Sequence, residues 1–156
     1  MSADCVLHLP GLAETLHFGR HLGRTARPGD IFTLSGDLGA GKTTLTQAIG
    51  KGLEVPPDQY ITSPTFSLLH EYDGHIPLYH MDLYRLGGPE EIEELGFEEY
   101  LYGKGLTVIE WPDRLGYLLP VHRLAIELTM ISPTARSARL TAHGGMLPRL
   151  SSFLPQ

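Results

Sequence analysis

A chain of 156 residues, 42% of them hydrophobic and carrying a formal charge of −6, is one domain's worth and large enough to bury a core without staples. No apolar run approaches the roughly 18 residues a bilayer-spanning helix needs, and the N-terminus lacks the basic start and long apolar segment of a secretory signal, so a single cytoplasmic domain over 1–156 with no membrane contact is expected. The acidic balance argues against a protein that grips nucleic acid by its phosphates, and one cysteine, Cys5, cannot close an internal disulfide, which suits a reducing compartment.

In chain order, Cys5-Val6-Leu7-His8-Leu9 reads as an edge strand that stops at Pro10-Gly11. No activating base accompanies Cys5 in sequence, so it reads as an ordinary thiol. Leu12, Leu16, Gly19 and Leu22-Gly23 keep a helical period and predict an amphipathic helix ending before Pro28. His17 and His21 lie four apart on that helix, but with no third ligand nearby they read as exposed side chains. Pro28-Gly29 then opens Ile31-Phe32-Thr33-Leu34, a short run of the buried-strand type.

Directly after that strand, Gly36-Asp37-Leu38-Gly39-Ala40-Gly41-Lys42-Thr43 fits G-x-x-x-x-G-K-[ST] at every fixed position. Glycines let the backbone curl until successive N–H groups point at phosphate oxygens. A lysine then reaches the β and γ phosphates, and the threonine hydroxyl is offered to Mg²⁺. Leu45, Ala48, Ile49 and Leu53 recur at helical spacing, so a helix begins near Thr43 with its N-terminal dipole toward the phosphates. Strand, glycine loop and helix together predict a nucleotide-triphosphate site.

From Glu54 to Thr65 the composition is loop-like. Phe66–Tyr72 and Ile76–Tyr84 follow as two strands joined at Asp73-Gly74. Gly88-Pro89 opens a helix whose first turns carry Glu90, Glu91, Glu93 and Glu94, acids that suit the helix dipole. Leu106-Thr107-Val108-Ile109 is a second central-strand run and stops at Glu110. Arg123–Ile131 and Ala138–Ala142 read as further strands, and Met146–Phe153 as a terminal helix. Residues 114–156 hold five arginines against Glu127 alone, a basic end that is either a solvated face or a docking surface. These elements predict an α/β fold of the P-loop NTPase type: a mostly parallel central sheet with antiparallel edge strands and helices on both faces.

A phosphate loop alone only binds. Turnover needs an acid at a strand end to hold the metal and a group that orients the attacking water or hydroxyl. Glu110 closes its apolar run where a Walker-B acid meets the metal beside Thr43. Asp82 ends a less uniform stretch and fits a second carboxylate that orients water or braces the metal shell; on sequence alone the two roles are interchangeable. Thr65, in Ser63-Pro64-Thr65, is placed to sense the γ-phosphate from a mobile loop. Arg85 reads as a partner of Asp82 or of the phosphates. Trp111, the only tryptophan, reads as core, as a neighbour of the nucleotide or as a partner contact, and His80 as packing or catalytic.

The set Gly36–Thr44, Ser63-Pro64-Thr65-Phe66, His80-Met81-Asp82-Leu83-Tyr84-Arg85, Glu90–Tyr100 and Glu110-Trp111-Pro112 resembles the TsaE (YjeE) family. The family is the small ATPase component of the bacterial machinery that makes threonylcarbamoyladenosine in tRNA. The likeness runs from about Leu34 to Pro120, five blocks in the family's order. It implies a P-loop α/β fold, weak ATP hydrolysis, Mg²⁺, and docking onto TsaB and TsaD, with tRNA met indirectly through them. Carried over by position, Asp37, Leu38, Gly39, Ala40, Gly41, Lys42, Thr43 and Thr44 would bind ATP, with Trp111 beside them. Thr43 and Glu110 would hold Mg²⁺, Asp82 would serve hydrolysis, and Thr65 would belong to a switch-like loop.

Two other readings compete. Phosphate loops also serve small-molecule kinases, which close a lid carrying several arginines over the phosphates; between Thr43 and Pro112 the only arginine is Arg85. A non-catalytic nucleotide-gated module would not need Thr43, Asp82 and Glu110 together.

Overall fold

The computed structural model describes residues 1–156. In chain order its elements are β1 (Ser2–Leu9), α1 (Leu12–Thr25), β2 (Ile31–Ser35), α2 (Lys42–Gly52), β3 (Leu69–Tyr72), β4 (Leu78–Asp82), α3 (Pro89–Glu94), β5 (Leu106–Glu110), β6 (Arg123–Met130) and β7 (Arg136–His143). Stretches of 3₁₀ helix cover Phe97–Tyr100, Pro112–Leu118 and Gly144–Phe153. All seven strands share one sheet in the order β1-β7-β6-β2-β5-β4-β3. The four in the middle, β6, β2, β5 and β4, run parallel, while β7 and β1 on one side and β3 on the other pair antiparallel. This is the α/β arrangement expected from the sequence.

Side chains of the parallel strands alternate between two apolar layers, because successive residues of a strand face opposite ways. Phe32, Leu34, Leu78, Leu106, Val108, Leu124 and Ile126 face α1, α2 and the C-terminal 3₁₀ segment, joining Phe18, Leu22, Leu45, Ile49 and Phe153 in the larger core. Ile31, Met81 and Ile109 face the other way and meet Ile92 of α3 and Leu115 of the Pro112–Leu118 segment. Helical elements therefore cover both faces. Each fully buried large apolar side chain, such as Phe18 or Ile49, contributes roughly 1.5–3 kcal/mol relative to exposure. No helix is long and apolar enough to cross a membrane.

The C-terminal segment forms 3₁₀ turns over Gly144–Phe153, where a helix over Met146–Phe153 was expected; Pro148 inside it removes a backbone donor. It is pinned at its middle and at its end. Phe153 meets Phe32 edge-on at 5.7 Å, and Arg149 grips Asp30 bidentately, with Nη1 and Nη2 each 2.8 Å from a carboxylate oxygen. Arg139 pairs with Asp4 at 2.6 Å, and Arg123 donates to the Pro120 carbonyl at 2.8 Å. Much of the basic end is thus spent on bonds within the molecule.

Two strands are shorter than their sequence patterns suggest: the Ile76–Tyr84 run pairs only over Leu78–Asp82, because the Tyr84 N–H turns back onto Asp82 Oδ1. The run from Phe66 enters the sheet only at Leu69, because the Leu68 N–H closes a turn onto Pro64 O at 2.7 Å and Leu68 takes the left-handed conformation at φ 69°. Cys5 lies half-buried on β1; burial first, and Asp4 second, push its thiol pKa up, which keeps it in the unreactive form.

Candidate functional site

Register alone brings the expected residues together. Leu34 of β2 pairs with Glu110 of β5, and Glu110 pairs with Asp82 of β4. Three adjacent parallel strands therefore end level, and the phosphate loop springs from the first of them. The crevice outside the carboxyl ends of parallel strands is where α/β sheets build ligand sites. Here it is a cleft of about 760 Å³ lined by the Gly36–Thr44 loop together with Ser63, Thr65, Asp82, Tyr84, Glu110, Trp111 and Arg136.

The loop's shape depends on two of its glycines. At Gly36, φ is 148° and a Cβ would lie 2.6 Å from Leu128 O, so only glycine lets the chain leave β2 against β6. Gly41, at φ 104°, is the residue before α2 and turns the loop into the helix through the left-handed region. The first backbone donor inside α2 is Leu45, whose N–H bonds Gly41 O at 2.9 Å. The N–H groups of Lys42, Thr43 and Thr44 precede it and lack helical acceptors, leaving a ready-made anion cradle at the positive end of the helix. Lys42 Nζ donates to Gly36 O at 2.9 Å and stands 5.2 Å above the Trp111 ring. Its ammonium is thereby held at the mouth of the curl.

The two acids share a face but have different surroundings. Glu110, 3% exposed, accepts a 2.7 Å hydrogen bond from Nε2 of His80, which is wholly buried. The ring's other nitrogen, Nδ1, is buried without a partner. Packing and support are both served by His80, which leaves Oε1 of Glu110 unengaged by protein. Asp82 has both oxygens occupied: Oδ1 accepts from the Tyr84 N–H at 3.0 Å and Oδ2 from Ser63 Oγ at 3.2 Å. Two donors from different segments thus fix the Asp82 carboxylate, whereas Glu110 keeps one oxygen free of protein partners.

Ser63 and Thr65 belong to a loop tethered on two sides. Gln47 of α2 donates to Ile61 O at 2.9 Å, and the Thr62 N–H bonds the Tyr72 hydroxyl of β3 at 3.3 Å. Between these anchors and β3, Thr65 faces the cleft, while Phe66 is 80% exposed beneath the Arg85 guanidinium at 4.4 Å. Arg85 is thus engaged outside the cleft wall and does not pair with Asp82. Trp111 follows Glu110 in the left-handed conformation, φ 60° and ψ 52°, a strain of order 1–3 kcal/mol for a residue with a side chain. Its ring packs against Tyr84 at 4.8 Å.

The residues expected at the site therefore line one cleft, except Ala40, which is buried beneath the loop. Three others were missed. Ser63 stood beside Thr65 in sequence, yet nothing local indicated its bond to Asp82. Tyr84 and Arg136 carried no local signal, and Arg136 reaches the loop only because β6 runs parallel to β2, which brings the β6–β7 turn to the same end of the sheet.

The chain and its fold are similar to those of known proteins. The family model described as "Threonylcarbamoyl adenosine biosynthesis protein TsaE" matches residues 9–138. The tRNA threonylcarbamoyladenosine biosynthesis protein TsaE of Bacillus subtilis is 42% identical over 142 residues, covering 90% of this chain and 87% of that protein. Its counterpart from a Nostoc species is 46% identical over 133 residues, covering 82% and 80%. The crystal structure of Bacillus subtilis YdiB superposes with a TM-score of 0.79 at 36% identity, over 97% of this chain and 93% of that one.

Proposed function

Because the chain belongs to the TsaE family of threonylcarbamoyladenosine biosynthesis proteins, we propose that its cleft binds ATP with Mg²⁺, hydrolyses it slowly, and couples that cycle to tRNA modification with TsaB and TsaD. The observation that carries this reading is the convergence of Lys42, Thr43, Asp82 and Glu110 on one cleft beside a curled, glycine-shaped backbone. The oxygen-only donor set of Thr43 Oγ and the unengaged Glu110 oxygen fits a hard cation such as Mg²⁺. When bound, that ion would neutralise charge on the β and γ phosphates. The protein's own groups do the rest. The loop N–H groups and Lys42 hold the phosphate chain, and His80 fixes the Glu110 carboxylate in the cleft by its Oε2. Asp82, aimed by Ser63 and Tyr84, orients a water at the γ-phosphorus, and Thr65 closes the cleft from the loop side.

With a formal charge of −6 and its C-terminal arginines largely committed to internal bonds, the protein meets tRNA through its partners. The kinase reading has no observation in its favour, since Arg85 lies over Phe66 and no set of lid arginines faces the cleft. The test is to mix the protein with purified TsaB and TsaD and run size exclusion with and without ATP. A larger complex that forms with ATP supports the proposal. Elution unchanged by partners and nucleotide, or a phosphorylated product from a metabolite panel, overturns it.

A further inference from the structure

Arg136 is the one cleft residue to which the nucleotide reading assigns no role. It opens β7 where the chain turns back from β6. Nε donates to Ala40 O at 2.9 Å and Nη2 to Gly39 O at 3.3 Å. On the other side, Nη1 donates to Ser132 O and Ala135 O, each at 3.0 Å, with Pro133 O at 3.5 Å. Every acceptor is a neutral carbonyl. Arg139 and Arg149 pair with Asp4 and Asp30, but no carboxylate pairs with Arg136. A guanidinium does not give up its proton in proteins, so a full positive charge without a counter-ion stands at the wall of the cleft.

Resting on the nucleotide reading, we infer that Arg136 is a positioning residue for the phosphate loop and a second fixed cation, beside Lys42, for the phosphate chain. The geometry follows from the peptide group. In a trans peptide the carbonyl and the following N–H point in opposite directions, so the bond that holds Ala40 O against Nε turns the Gly41 N–H the other way, into the loop. That N–H has no backbone acceptor. The neighbouring unit is fixed likewise: Gly39 O is held by Nη2 while the Ala40 N–H closes onto Asp37 O at 3.0 Å. With φ of 84° at Gly39 and 104° at Gly41, the loop has little stiffness of its own. The curvature its glycines permit is held from outside by a rigid fork that grips two successive carbonyls and is itself anchored in the β6–β7 turn. Lysine carries the charge but lacks the fork.

The test compares wild type, Arg136→Met and Arg136→Lys by calorimetric titration with ATP, ADP and AMP in Mg²⁺, together with a thermal melt of each nucleotide-free protein. Arg136→Met is expected to weaken ATP at least about 10-fold, ADP less and AMP under about 3-fold, with the melting temperature nearly unchanged; Arg136→Lys falls between. If wild type binds no ATP, the nucleotide reading and this inference fall together. If wild type binds and Arg136→Met binds ATP within about twofold of it, only this inference falls. Equal weakening for all three nucleotides with a matching loss of thermal stability would mark a mere brace of the fold and also overturn it. Should Arg136→Met not fold, Arg136→Lys decides: weaker ATP binding at an unchanged melting temperature supports the role, and wild-type affinity refutes it.

Discussion

Lys42→Ala will remove ATP binding, weakening it at least about 100-fold, or about 2.8 kcal/mol. The size follows from where Nζ sits. It is already held at the mouth of the loop by Gly36 O at 2.9 Å and by the Trp111 ring at 5.2 Å, so little ordering cost remains when it meets phosphate. Each charge-assisted hydrogen bond it makes to a phosphate oxygen is roughly twice as strong as a neutral one. The fold should not suffer, because the side chain contributes no core packing. Fluorescence of Trp111 reports the loss: wild type gives a saturable response to ATP with Mg²⁺, and the variant gives none at concentrations that saturate wild type. A saturable wild-type-like response in the variant would remove the loop from the site.

Asp82→Asn will keep nucleotide affinity within about threefold while lowering phosphate release at least about 100-fold, as expected when a group acts only in the transition state. The asparagine is the sharper variant. Its amide oxygen can still accept from the Tyr84 N–H while its NH₂ donates to Ser63 Oγ, so the turn after β4 is preserved and the negative charge is lost. Asp82→Ala also loses hydrolysis, but it frees Ser63 and uncaps that turn as well. Phosphate release is measured at saturating ATP, so weakened binding cannot imitate the effect. An unchanged rate in Asp82→Asn would assign water orientation to another residue.

How much of this was legible in the sequence depends on the range over which each feature is encoded. The phosphate loop is local: a β run ending at Leu34, glycines at fixed spacing and a helical period after Thr43 all lie within some twenty residues. The helices and parallel strands were likewise written in short periodic patterns, and Glu110 was marked by ending one of them. Asp82 could be nominated as an acid at a strand end. Its level position beside Glu110 is a matter of register, which no local pattern carries. The strand reading of Phe66–Leu68 failed because apolar content there serves an exposed ring and a turn through Leu68 at positive φ, and composition alone cannot separate those from a pleated strand. The C-terminal arginines are the clearest case. As a cluster in sequence they suggested a surface or a solvated face, but the fold disperses four of them to Asp4, Asp30, Pro120 and the phosphate loop, partners that lie from 3 to 135 positions away.

The central claim is that one cleft holds the triphosphate, the metal and both acids. It is tested most directly by a crystal grown with a non-hydrolysable ATP analogue and Mn²⁺, with the metal located by its anomalous scattering. The account predicts a triphosphate wrapped by Gly39–Thr44, an anomalous peak between Thr43 Oγ and the Glu110 carboxylate, and Asp82 on the γ-phosphate side. A nucleotide seated elsewhere on the molecule, or a metal remote from both Thr43 and Glu110, would contradict it.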